Sequence, residues 1–312
     1  MKHLDRGTFT YWFARKAWTI GITLALALGV SAGLEAREIQ TANGAIRIEG
    51  TPQRVVTLSE SALDTALMVG VQPVGTVATR GSNTVSEYLQ DRAGKMGIVG
   101  TTREYNLEAI LALQPDLILA SQMLSKDLYA KLSLMAPTIV PASDFTDDWR
   151  LMVSTYARAL GQESKIDEAY QELDTRIAGL RDRLGEPRTV SVVRWMPQGP
   201  MIMSDKVFTG QLLHAVGFKT PELASKQGER PHSDVLSLEN LGGIDSDWLF
   251  LATLNKEGSD TLEAAKRQPA FQRLDAARAN RISTVDGQVW SSATGIIAAD
   301  LILDDIETTF LP

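Results

Sequence analysis

The stretch QESKIDEAYQELDTRIAGLRDRL, residues 162–184, decides how the rest of the chain is divided. Its apolar residues Ile166, Ala169, Tyr170, Leu173, Ile177, Leu180 and Leu184 recur at steps of three and four, which places one stripe on a 3.6-residue period. Charged residues such as Lys165, Glu168, Glu172, Arg176 and Asp182 occupy the other faces. The segment therefore reads as one solvated amphipathic helix, roughly 33 Å long at 1.5 Å per residue. A strand-and-helix alternation stands on each side of it, so the working expectation is a strut between two lobes. On periodicity alone, an ordinary helix inside a single domain satisfies the pattern equally and stands ahead.

Working outward toward the N-terminus, residues 54–58 (RVVTL), 74–77, 98–99, 117–120 and 138–140 read as short buried strands. Between them, residues 59–69, 106–113 and 126–135 read as helices, with a further helix over 147–160 closed by Gly161. Ser61 and Asp64 stand at capping-box spacing, Gly70 stops the first of these helices, and the second must end before Pro115. On the other side the alternation restarts at residues 190–193 and runs through 201–203, 209–216, 237–241, 248–252, 271–279 and 282–285 to a final helix over 296–310. Short strands without internal alternation, separated by helices, predict parallel, doubly wound α/β sheets. An internal echo points the same way. Asn106-Leu107-Glu108 leads, eight residues after Glu108, to Asp116 and a strand; Ser237-Leu238-Glu239 leads, eight residues after Glu239, to Asp247 and a strand. The expected division is a leader over 1–36, an N-terminal lobe over 37–161, the helix over 162–184 and a C-terminal lobe over 185–312.

The first 36 residues differ from the rest. Lys2, Arg6, Arg15 and Lys16 precede an apolar run, residues 17–30, which ends in small residues. This is the layout of a secretory signal. The run is about 14 residues, short of the ~20 that a membrane span needs. With no cysteine in the chain, a lipoprotein, disulfides and thiolate metal sites are excluded together. Removal of the leader takes the net charge of -7 to -9, because it carries four basic and two acidic residues. An exported, acidic, cysteine-free protein fits the periplasm of a double-membraned bacterium. That charge, without any basic run, argues against a nucleic-acid partner. Only His3, His214 and His232 are available as imidazoles, too few for a His-based zinc or haem centre.

The signatures of phosphate loops, dinucleotide folds, serine-hydrolase elbows and zinc proteases are absent from the sequence, so an enzyme is disfavoured. What remains is a set of cations and aromatics just past strand ends, where open α/β sheets bind ligands. Arg80, Arg103 and Arg194 each follow a predicted strand, Trp195 stands beside Arg194, and Arg230 lies in the loop 227–232. Each of these arginines alone reads as easily as a solvated surface residue. Gathered at one rim of an acidic protein, they would select an anion, because a guanidinium forks a carboxylate in two hydrogen bonds. Tyr88, Tyr105 and Trp290 also fall in or beside predicted loops and are candidates for the walls of a cleft. For Trp290, packing at a lobe edge is an equal alternative.

Residues 55–75 (VVTLSESALDTALMVGVQPVG), 97–120 (GIVGTTREYNLEAILALQPDLILA) and 132–140 (LSLMAPTIV) resemble the N-lobe of periplasmic binding proteins for ferric siderophores and ferric dicitrate. Residues 285–290 (VDGQVW) and 295–300 (GIIAAD) resemble their C-lobe ending. The resemblance implies two Rossmann-like lobes joined by one long α-helix, the class III binding-protein architecture, with a ferric siderophore or ferric dicitrate held between the lobes. It implies a monomer without intrinsic cofactor, in which iron arrives wrapped in its chelator and the protein need not ligate it. It further implies delivery to an inner-membrane ABC permease. By position, Arg80 and Arg194 match the family's chelate-binding arginines, and Tyr105 and Trp290 its aromatic walls. Glu229 fits the acidic residue that docks the C-lobe on the permease, while Asp127 is the acid available in the N-lobe. The alternatives are a haem or corrinoid carrier of the same fold, with Tyr88 or Tyr105 on the haem iron, and a ligand-sensing module.

Overall fold

The computed structural model describes residues 36–311. The expected leader lies, apart from Ala36, outside the described residues. An antiparallel hairpin, β1 (Arg37–Thr41) and β2 (Gly44–Ile48), opens the described chain. Five parallel strands follow: β3 (Val55–Thr57), β4 (Gly75–Ala78), β5 (Gly97–Thr101), β6 (Leu117–Leu119) and β7 (Thr138–Ile139). They lie side by side in the order β5-β4-β3-β6-β7. Between them run α1 (Glu60–Met68), α2 (Glu87–Gln90), α3 (Leu107–Ala112) and α4 (Lys126–Leu132), and α5 (Trp149–Leu160) follows β7. Alternate residues of these strands face opposite ways, as the pleat requires. Val55, Leu117 and Leu119 enter one core, while Val56 and Ile118 enter another on the far face of the sheet.

The stretch that opened the sequence reading is α6 (Glu163–Leu184). Its buried residues are Ile166, Ala169, Leu173, Ile177, Leu180 and Leu184, the predicted stripe with Tyr170 half-covered beside it. Gly161, at φ 70°, adopts the left-handed conformation that ends α5 and turns the chain into α6.

After α6 comes a second sheet of β8 (Val190–Met196), β9 (Gly199–Ile202), β10 (Trp248–Thr253) and β11 (Ile282–Asp286), in the order β11-β10-β8-β9. Here the expectation of a purely parallel sheet needs correction: β9 runs antiparallel to β8. Only Pro197 and Gln198 separate the paired residues Met196 and Gly199, too few for the crossover that a parallel pair needs. The helices of this half are α7 (Phe208–Ala215), α8 (Glu222–Ser225), α9 (Lys256–Lys266), α10 (Pro269–Gln272), α11 (Asp275–Arg278), α12 (Gly287–Ser291) and the terminal α13 (Ile296–Phe310).

The echo has a structural counterpart. Asp116, at the start of β6, accepts the amides of Gln53 and Arg54 at 2.7 and 2.9 Å. Asp247, at the start of β10, accepts the amide of Thr189 at 2.8 Å. Each aspartate thus satisfies backbone at the head of the central strand beside its own.

The two sheets share one continuous core, which runs from Val55 and Leu119 through the α6 stripe to Val192, Phe250 and α13. Arg176 of α6 binds the carbonyl and carboxylate of Asp300 at 3.0 and 3.1 Å, and the carboxylate of Asp304, on α13. Helices α5 and α6 carry the chain from β7 of the first sheet to β8 of the second, and α13 packs on both α6 and α1.

Candidate ligand-binding cavity

In the first sheet the chain leaves the centre at β3, passes outward to β4 and β5, then crosses back to β6, so the switch point lies between β3 and β6. Ligands settle outside the carboxyl ends of strands at such a point, where adjacent loops diverge. A cavity of about 440 Å³ opens there. Its walls include Ser59, Glu60 and Ser61 after β3, Ser121, Gln122 and Met123 after β6, and Arg194, Met203, Phe208, His232 and Ser291 from the second half of the chain.

The structure gathers Arg80, Arg103 and Arg194 on this one cavity. Among the described residues, none of the three forms a salt bridge. Arg194 is the most enclosed, 4% exposed, and it is oriented by its Nε, which donates to Ser291 Oγ at 3.0 Å. Ser291 in turn donates to the carbonyl of Gly287 at 2.7 Å. Burial and the like charge of Arg80 lower the Arg194 pKa to about 10, against the pull of Glu60. The group is still cationic at neutral pH, and its desolvation makes it a stronger partner for an incoming anion than a surface arginine.

The remaining wall is apolar. Trp149 at the head of α5 meets Phe208 of α7 edge-on, with centroids 5.1 Å apart, and Met152, Met203 and Val207 extend that surface. Met123 stands 69% exposed at the rim beside Phe145. The hydroxyls of Ser143 and Ser292, both lining the cavity, are buried without a hydrogen-bond partner. Such a space suits a ligand with several anionic oxygens and some apolar surface.

Five of the expected ligand residues lie elsewhere. Trp195 neighbours Arg194 on β8, and consecutive strand residues point to opposite faces; its ring packs on Phe271 in the core behind the sheet. Trp290 stacks on Phe250 at 4.3 Å and donates Nε1–H to Asp305 at 2.7 Å, fully buried. It is a packing tryptophan, the second of the two readings its loop position allowed. Tyr88 is enclosed with its hydroxyl toward Asp64 at 3.4 Å. Tyr105 lies behind the cavity wall, its hydroxyl 3.5 Å from the carbonyl of Leu58. The haem alternative thus loses both tyrosines as axial ligands. Arg230 pairs with Asp234 on the surface, although Pro231 and His232 beside it reach the cavity. Glu229 and Asp127 are exposed, outside the cavity.

Several cavity residues were not singled out from sequence. Glu60 stands three residues after β3, at a strand end like those of Arg80 and Arg103, but it reads as an ordinary first-turn acid of α1. Trp149 sits at the head of a helix and reads as core. Among the described residues, no group of three or more carboxylate or imidazole side chains is placed to hold a metal ion, and no helix is long and apolar enough to cross a membrane.

Two α/β halves with an arginine-lined cavity at the strand ends have the build of a solute-binding protein. The chain belongs to the periplasmic binding protein family, whose model matches residues 55–289. It is 32% identical over 274 residues to the "Probable siderophore-binding lipoprotein YfiY" of Bacillus subtilis, with 85% of this chain and 84% of that protein aligned. The Fe(3+)-citrate-binding protein YfmC of the same organism is 28% identical, over 89% of this chain and 87% of its own. Among solved structures, Staphylococcus aureus SirA complexed with staphyloferrin B superposes with a TM-score of 0.78 at 27% identity, covering 88% of this chain and 98% of SirA. YfiY is a lipoprotein, whereas this chain has no cysteine to carry a lipid.

Proposed function

We propose that this chain captures an anionic ferric chelate, of siderophore or ferric-citrate type, in the cavity between its two halves and hands it to an inner-membrane ABC permease. The observation that carries the reading is the convergence of Arg80, Arg103 and Arg194, none of them in a salt bridge among the described residues, on one cavity. Guanidinium groups bind carboxylate oxygens in pairs, so three of them favour a ligand with several such oxygens. Iron enters as cargo inside its chelator, and the protein supplies charge and shape rather than metal ligands. The siderophore-binding designation of YfiY, the Fe(3+)-citrate-binding designation of YfmC and the staphyloferrin B held by SirA support the same chemical class. The chain acts as a monomer in the periplasm after its leader is cleaved. Glu229 and Asp127 meet the permease.

The test is a fluorescence titration of the mature protein with ferric citrate, a panel of ferric siderophores, and iron-free citrate. Saturable quenching by at least one ferric complex, with none by citrate alone at equal concentration, is the expected result. A flat response across the panel overturns the reading. Glu229→Ala should leave chelate affinity alone while reducing uptake into cells.

A further inference from the structure

An acid lines this cavity of arginines. Glu60, the first residue of α1, is only 9% exposed and lines the same space as Arg80 and Arg194. The charges of these three groups act on one another, yet among the described residues no direct ion pair joins Glu60 to either arginine. Its carboxyl is held in place by the hydroxyl of Ser86, which donates to it and lies 2.8 Å from Thr79 Oγ1. The other charged or titratable groups facing it are Asp286, at the start of α12, and Tyr88, on α2.

We propose that Glu60 is a ligand-contacting residue that presents a protonated carboxyl to the chelate, so that above the free-state titration of Glu60 capture of an anionic chelate brings up to one proton into the cavity. The inference rests on the anionic-chelate reading above. A chelate whose oxygens bridge Arg80 and Arg194 must place negative charge beside Glu60. In a poorly screened space an ionised Glu60 would repel it, whereas the neutral carboxyl offers an O–H donor. Burial already raises the Glu60 pKa, with Asp286 adding to the effect, against the hydroxyls of Ser86 and Thr79 and the charge of Arg80. An anion that engages Arg80 cancels much of that opposing pull and raises it further. Binding is then independent of pH below the free-state titration of Glu60. It weakens as pH rises toward the bound-state value, by up to about tenfold per pH unit for one linked proton. Glu60 would thus set which charge state of chelate is accepted.

The experiment is isothermal titration of wild type and Glu60→Gln with ferric citrate under excess citrate, near neutral pH, in two buffers of different ionisation enthalpy. The expected result is that wild type takes up more protons per chelate than Glu60→Gln, by up to about one, and that its affinity falls more steeply with pH. Protonation of the chelate itself is common to both proteins and cancels in the difference. Equal proton counts overturn the proposal. Absence of heat with ferric citrate in both proteins counts against the citrate-type ligand. Glu60 is then decided by the carboxyl carbon-13 resonance of wild type with and without sulfate as an anion for the arginines: a midpoint raised by sulfate supports the proposal, and an unmoved one overturns it. Ser86→Ala, which deletes the hydroxyl that favours the ionised form, should move the pH profile of chelate affinity upward; an unmoved profile counts against it.

Discussion

Asp64 on α1 caps helix α13 from the opposite half of the chain: its Oδ2 accepts the amide of Ala298 at 3.1 Å, and its Oδ1 that of Ile297 at 3.2 Å. Leu63 and Leu67 of α1 pack with Ile297 around this contact. Asp64→Ala would leave two buried amides without partners at a helix start, so a loss of about 1–3 kcal/mol is expected, read from urea unfolding. An unchanged midpoint would remove this cap from the account of stability.

The same carboxyl gives stability a pH dependence of defined sign. Burial pushes the Asp64 pKa up to about 7, well above the ordinary carboxylate range, although the amides of Ala298 and Ile297 and the Tyr88 hydroxyl hold it back. The folded chain therefore binds this proton more tightly than the unfolded chain, and stability falls as pH rises from about 4 to about 7. Glu60, Asp286 and Asp305 are raised as well and act in the same direction. Asp64→Asn should flatten a large part of the slope of melting temperature against pH, and an unaltered slope would assign it to the other three.

Gly295 precedes α13, and a Cβ there would stand 2.0 Å from Asp64 Oδ1. Gly295→Ala should cost about 1–3 kcal/mol through this overlap. In the Asp64→Ala background the same substitution should cost less, because the oxygen it strikes is gone. Strict additivity in the double-mutant cycle would show that the two residues do not meet.

The tryptophans divide into a reporter and a core. Trp149→Phe should abolish most of any ligand-induced quenching, since Trp149 lines the cavity. Trp290→Phe should leave the quenching in place while lowering stability, because the buried indole loses its bond to Asp305 and part of its stack on Phe250. The opposite pattern would return Trp290 to the cavity wall.

Arg194→Ala should weaken chelate binding by about 1.5–3 kcal/mol, the scale of a hydrogen bond to a charged group, and Arg194→Lys should recover little of it. Lysine lacks the planar fork and the Nε that Ser291 holds in place. Full recovery by lysine would mean that charge alone matters at this position.

The frame of the molecule was legible wherever one physical rule governed a residue. The stripe from Ile166 to Leu184 is buried because a helix of that period has one face to hide. Arg80 and Arg103 stand in loops two residues after β4 and β5, where the strand-end rule places them, whereas Arg194 reaches the cavity from within β8, which runs past the strand end expected at Val193. The rule failed where loop position says nothing about direction. Trp195 turns away from the cavity by the strict alternation of β8, and Trp290 turns inward because Phe250 and Asp305 receive it. Ser61 and Asp64 had the spacing of a capping box, yet Ser59 caps α1, with the amide of Ala62 at 3.2 Å, and Asp64 serves a helix more than two hundred residues downstream. No local pattern encodes such a contact.

That separation bears on how the chain is made. Synthesis runs from the N-terminus, and every strand of the first sheet has emerged by residue 139. The face of α1 that carries Leu63, Asp64 and Leu67 is nevertheless covered only in part, by Val85, Tyr88 and Leu89, until Ile297 and its helix are made. A product cut short before residue 295 leaves part of this apolar face open around an acid that lacks its two α13 amides, the kind of surface that chaperones and proteases recognise. Helix α13 is therefore the seal by which a chain that contains it differs from one truncated before it.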